Sequence, residues 1–115
     1  MEAINISVFN LVGSSFCTDA DDGQKVHEMV SKALKENKKV ALSFLNIEML
    51  TTAFLNTAVG QLYNSFSDKA IKQNLSVKDI SNSGAVALKR VVDTAKLFYK
   101  NPDAMQNSIN EILEG

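Results

Sequence analysis

Cys17 and His27 are the chain's one cysteine and one histidine, and a thiol beside an imidazole is the smallest pair that could do nucleophilic chemistry. Nothing in the spacing supplies a third group to orient the base, so Cys17 reads as a buried or loop thiol. His27 has no second histidine or cysteine at ligand spacing and falls on the polar side of a helix, which is the pattern of a solvated residue rather than a metal ligand. Asp19, Asp21, Asp22 and Gly23 superficially resemble a calcium loop. With Gly23 at the sixth position, however, Thr18 stands first, Ala20 third and Met29 twelfth, and three ligand positions fail. The acids are better suited to favouring the start of a helix through its dipole. Gly13, Gly23, Gly60, Gly84 and Gly115 do not make a phosphate-binding spacing. Tyr63 and the phenylalanines fall mostly at core-compatible positions, without the basic residues that a base-stacking platform requires.

Thr51 and Thr52 carry two readings. As helix caps, a hydroxyl there accepts an otherwise unpaired backbone amide and contributes about 1 kcal/mol. As a phosphorylation switch, the same position would take an added charge of roughly −1.5 to −2 that the helix dipole tolerates but a partner surface would register. The chemistry of the side chains favours capping.

The elements that position these residues follow from periodicity. Ile4, Ile6 and Val8 alternate with Asn5 and Ser7, and Phe9 and Leu11 extend the apolar content to Gly13, which predicts a strand with one buried face. GSSFCTDADDG predicts a loop, with Phe16 and Cys17 as a short edge strand. From Asp22, Val26, Met29, Val30, Ala33 and Leu34 recur at helical spacing, and Asn37 ends that helix. Val40, Leu42 and Phe44 alternate with Ala41, Ser43 and Leu45, the mostly apolar pattern of a central strand covered on both faces. After Asn46 the period changes, and Phe54, Leu55, Ala58, Val59, Leu62 and Phe66 predict a helix capped by Thr51 or Thr52. Gly60 within it is expected to allow close contact with the sheet, at about 1 kcal/mol relative to alanine.

SDKAIKQN reads as a polar connector, Leu75–Ile80 as a third strand, and Ser81 or Asn82 as the start of a helix with Val86, Leu88, Val91, Val92, Ala95, Phe98 and Tyr99 on its apolar side. Asn101 and Pro102 are expected to stop it and open a last helix faced by Met105, Ile109, Ile112 and Leu113. Strands and helices thus alternate into an α/β layer fold of about four strands, mostly parallel or mixed, with helices packed on the sheet and a C-terminal helix. Ligands in such sheets bind outside the carboxyl ends of the strands, which singles out Asn46–Thr52 and Ser81–Gly84.

Residues 1–115 form one expected domain, long enough for folding to bury roughly 65% of the unfolded chain's surface. No cofactor or metal is expected. Twelve basic and 13 acidic side chains leave a formal net charge of −1, which disfavours counterion-driven binding to nucleic acid or an anionic membrane. A single cysteine fits a reducing compartment, and the N-terminus, MEAINIS, has the features of neither a signal peptide nor a transmembrane span, so the cytoplasm is the expected location.

The stretch VALSFLNIEMLTTAFLNTAVGQLY resembles the strand-to-helix signature of the STAS-like domain family of uncharacterised function, and GSSFCTDADDGQKV resembles that family's approach to its first helix. The similarity covers most of residues 4–99, and TTAFLNTAVGQLY is its most specific part. More distantly the chain is similar to STAS domains of the anti-sigma factor antagonist kind. Their comparable junction carries an aspartate followed by a phosphorylatable serine, positions taken here by Thr51 and Thr52; Ser43 likewise stands where the related strand has an aspartate.

The resemblance implies a noncatalytic regulatory module that binds a protein partner, in STAS systems often a histidine-kinase-like ATPase. The working surface expected from it is the junction with Asn46, Thr51, Thr52 and Asn56. The alternative class is a sensor that binds a small ligand or nucleotide at the carboxyl ends of the strands. A third, an enzyme using Cys17 or His27, has only those two residues in its favour.

Overall fold

The computed structural model describes residues 3–100. The stop expected at Asn101 and Pro102, and the helix expected from Met105, Ile109, Ile112 and Leu113, lie outside the described residues.

Three strands, β1 (Ile4–Ser7), β3 (Val40–Ser43) and β5 (Leu75–Lys78), form an all-parallel sheet in the order β1-β3-β5. The register aligns Ile4, Val40 and Leu75, then Ile6, Leu42 and Val77, so one face of the sheet is a continuous apolar surface. Helices lie on that face, and Ile6, Val40, Leu42 and Phe44 join the core with Val26, Val30, Phe54, Leu55, Val59 and Leu62. β3 is central, as its sequence predicts.

The other face corrects the expectation of a strand covered on both sides. It carries Asn5, Ser7, Ala41, Ser43, Ser76 and Lys78, and no apolar row exists there to bind a second layer of helices. Lys78 Nζ donates to Asn5 Oδ1 at 3.1 Å, reaching from β5 to β1 across the intervening strand, which shields Ala41 without any helix. Leu45, read as part of the same alternation, falls past the end of β3 and is 58% exposed.

Local punctuation decides several elements that periodicity misses. The alternation of β1 does not run on to Leu11, because Ser7 Oγ accepts from Asn10 N at 3.1 Å and starts helix α1 (Val8–Val12). Gly13, at φ 80°, closes that helix with its N–H on Phe9 O at 2.8 Å. Helix α2 (Ala20–Lys35) begins two residues before the expected Asp22, capped by Asp19, whose Oδ1 accepts from Asp22 N at 2.8 Å. Past its end Asn37 takes the left-handed conformation, φ 60°, as expected of the residue that stops it.

The polar connector SDKAIKQN is itself a helix, α5 (Asp68–Asn74). Ser67 Oγ accepts from Ala70 N at 3.1 Å, Asp68 sits in the first turn, and the single anchor Ile71 is buried. One apolar residue is too few to register as a periodic stripe. Helix α6 (Asn82–Lys100) follows β5, with Ser81 Oγ accepting from Gly84 N at 3.0 Å. Val91 and Ala95 are buried on it, whereas Val86, expected on the same apolar side, is exposed.

The helix expected from Phe54 to Phe66 is three pieces: α3 (Thr52–Leu55), a π-helical turn (Asn56–Gly60), and α4 (Leu62–Ser65). Within the π turn Gln61 N donates to Asn56 O at 3.0 Å, and the Gln61 side-chain amide donates both to Thr57 O at 2.9 Å and to Gln24 Oε1 of α2 at 3.1 Å. The widened turn is thereby tied to α2. Gly60 does not face the sheet, as expected from the sequence, but faces α6, where an added Cβ would meet Val91 at an ordinary 3.5 Å.

Gly23 has no such freedom: a Cβ on it would stand 2.7 Å from Phe54 O and 3.0 Å from Thr57 Cβ. Gly23→Ala is therefore expected to lower unfolding stability by about 1–3 kcal/mol, since backbone must move to admit the methyl group. Gly60→Ala is expected to raise it by about 0.5–1 kcal/mol through reduced freedom of the unfolded chain. Urea titrations of the two variants beside the parent protein check both signs.

Candidate functional site

Two further strands, β2 (Phe16–Cys17) and β4 (Met49–Leu50), make a small parallel ladder of their own. Phe16 pairs with Met49 and Cys17 with Leu50. Because successive side chains alternate, Cys17 is fully buried and Leu50 packs against the core, while Phe16 and Met49 point out together, 53% and 51% exposed. Phe16 is thus an exception to the core placement expected of the phenylalanines.

Hydrogen bonds fasten this ladder at both ends. Glu48 N and Met49 N donate to Ser15 O at 2.8 and 3.2 Å, and Ser15 Oγ donates to Glu48 Oε2 at 2.9 Å. At the other end Thr51 N donates to Cys17 O at 3.1 Å and Thr51 Oγ1 donates to Thr18 O at 3.0 Å. Each strand then runs straight into a helix, β2 into α2 through Asp19 and β4 into α3 through Thr51. The helix starts lie side by side, drawn together by the backbone approach at Gly23.

The four residues singled out from the sequence are not equivalent. Thr51 is half-buried and its hydroxyl is fully engaged, accepting from Phe54 N at 3.3 Å while donating to Thr18 O. It is the cap and the clip between the two strand–helix units. Thr52, the first residue of α3, is exposed, and so is Asn56 one turn on, which puts both on the same side of the helix. Asn46 is exposed at φ 69° in the turn before β4, separate from that pair. Phe16, Met49 and Thr18 complete the surface and were missed as site residues, because a two-residue strand carries no periodicity. The available signal was Phe16 and Cys17 read as an edge strand, with nothing to indicate its partner.

At the carboxyl ends of the main sheet, Ser43 Oγ donates to Asp79 Oδ2 at 2.9 Å. Asp79, in the left-handed conformation at φ 59°, thereby brings to the end of β3 a carboxylate that Ser43 does not supply. Gly84 packs its backbone close to Leu50, Ile80 and Ser81, which ties the start of α6 to β4. The cavity left there, lined by Phe44, Ile47, Leu50, Ile80 and Ser83, holds only about 30 Å³, room for a water but well below a metabolite. A larger groove, about 330 Å³, lies elsewhere, between α4–α5 and α6, where Lys96 Nζ meets Asp68 Oδ1 at 3.3 Å.

Cys17 and His27 are not joined. Burial, reinforced by the nearby Asp22 and Asp19 carboxylates, pushes the Cys17 thiol up to about 11, so it is protonated and a poor nucleophile at neutral pH. His27 is not the solvated residue its place on the polar side of the helix suggests: it is half-buried, and its Nδ1 is enclosed without a hydrogen-bond partner. Burial lowers its pKa, against an opposing pull from Glu28 and with a smaller push from Lys35.

A small parallel sheet with helices on one face, and a two-strand ladder feeding paired helix starts, define the class of this protein as an α/β layer domain. The chain belongs to the family described as STAS-like domain of unknown function (DUF4325), whose family model matches residues 22–85. No curated protein and no solved structure matches it. Among the described residues no helix is long and apolar enough to cross a membrane.

Thr51→Val keeps the shape of the side chain but removes the cap and the bond to Thr18, and is expected to cost about 1–2 kcal/mol in chemical denaturation. Thr52→Val, at an exposed position with no such bonds, is expected to change stability by less than about 0.5 kcal/mol. His27 predicts a pH effect of definite sign. Its folded pKa lies below its unfolded value, so the unfolded chain binds the proton more readily and stability falls as pH drops below about 6.5. His27→Gln is expected to flatten the melting temperature between pH 7 and the onset of carboxylate titration.

Proposed function

We propose that this chain is a noncatalytic regulatory interaction domain that docks another protein through the outer side of the β2–β4 ladder and the exposed start of α3. The observation that carries the proposal is the pair Phe16 and Met49, two large apolar side chains held side by side in the open on a ladder that hydrogen bonds make rigid. Scattered exposed apolar residues are ordinary, but a register-paired set offers a contiguous anchor. Thr52, Asn56 and Asn46 supply polar contacts around it, and Thr51 holds the geometry. Family membership supports the same class of role, and a histidine-kinase-like ATPase is the kind of partner the STAS resemblance suggests. A cytoplasmic location goes with such a partner.

The two threonines have different consequences as modification sites. A phosphate on Thr51 would remove the proton donated to Thr18 O and set charge against Asp19, prising the two strand–helix units apart. On Thr52 it would leave those bonds alone and alter only the docking surface. The small-ligand alternative at the carboxyl ends of the main sheet has about 30 Å³ to work with, which favours the protein partner.

Affinity purification from the native host with the parent protein and with a Phe16→Ser/Met49→Ser double variant tests the proposal. A specific protein recovered with the first and lost with the second is the expected result; equal recovery with both, or none with either, would sink it. Intact-mass and phosphopeptide analysis of the native protein reports separately on Thr51 and Thr52.

A further inference from the structure

We propose that the segment docking on the β2–β4 ladder is basic, an apolar anchor flanked by lysine or arginine. This rests on the interaction role proposed above and names the chemistry of its partner. From Met1 to Gln24, and again from Val40 to Ser67, the chain has no lysine, arginine or histidine. Folding stacks those two cation-free stretches against each other, because the ladder pairs Phe16 with Met49 and Cys17 with Leu50.

The charged residues that adjoin the apolar pair along these two stretches are all carboxylates. Glu48 adjoins Met49 at one end of the ladder, and Asp19 and Asp21 follow Thr18 at the other. Glu48, Asp19 and Asp21 have no ion-pair partner among the described residues; Asp22 alone is compensated, by Lys25 at 3.2 Å. Lys78 is turned away to Asn5 on the open side of the main sheet. Lys32 and Lys35 sit in the last turn of α2, roughly 18 and 23 Å along the axis from its start at Ala20, and Lys38 and Lys39 lie past its end.

The net charge of −1 is thus unevenly spread along the chain, and the two stretches that display Phe16 and Met49 carry acids and no base. Carboxylates beside an exposed apolar anchor select a partner with the opposite rim, since like charges brought together at a closing interface repel. A second copy of this chain would bring the same acids to the same place, so the self-complementary dimer is the occupant that charge opposes.

A random-peptide display library panned on the full chain at low salt, with counter-selection on Phe16→Ser/Met49→Ser, tests this. Survivors are expected to carry an aromatic or aliphatic anchor flanked by Lys or Arg. A synthetic survivor is expected to shift the amide resonances of residues 15–19 and 48–53. The variant Asp19→Asn/Asp21→Asn/Glu48→Gln retains the cap at Asp19 and an acceptor for Ser15. It is expected to bind that peptide about tenfold or more weakly at low salt, with the difference closing at high salt. Survivors with acidic or uncharged flanks that still shift those residues would overturn the basic partner and leave the docking face standing. Shifts elsewhere, no survivors, unchanged affinity in the charge variant, or self-association abolished by the apolar double variant would overturn the proposal itself.

Discussion

Everything in this small domain depends on how closely α2 can approach the segment that begins at Thr51. At Gly23 the two backbones come so near that a single methyl group would collide with Phe54 O. That approach lets Val26 and Val30 meet Phe54, Leu55 and Ala58 in a core with no exposed members. It also sets the starts of two helices side by side, which determines where β2 and β4 must lie. The Gln24–Gln61–Thr57 bonds continue the attachment one turn further and accompany the π-helical turn that redirects the chain toward α6.

The sheet is a platform with one working side. Its apolar row takes the helices, and its polar row, bridged by Lys78 and Asn5, is left open. A three-stranded sheet covered on one face only is economical for a chain of this size, but it leaves the carboxyl ends tightly filled: Asp79 occupies the end of β3, and the start of α6 closes on Leu50. What the fold offers to another molecule at this end is consequently a surface, the outer side of the small ladder, rather than a cleft.

That surface is built from pieces with little individual signal. Phe16 looks like one more core aromatic until its partner Met49 is known, and Thr51 looks like an ordinary cap until its hydroxyl is seen to reach Thr18. Conversely, the residues with the most suggestive side-chain chemistry, Cys17 and His27, do no visible work together. One is a protonated thiol in the core on β2 and the other a half-buried imidazole on α2.

From the sequence alone came the α/β class, the central place of Val40–Ser43, the helix over Val26–Leu34, a cap at Thr51 or Thr52 and the family, because each is written in contacts between near neighbours or in a run long enough to show a period. Side-chain alternation and 3.6-residue spacing are local properties, and a hydroxyl three residues before an amide is a local bond. Only the tertiary structure decided that the sheet has one covered face, that Phe16 stands beside Met49, that Gly23 is the tight position and Gly60 the relaxed one, and that the two cation-free stretches lie against each other. Those depend on pairings between residues more than thirty positions apart, and such pairings leave no trace in the order of residues along either strand.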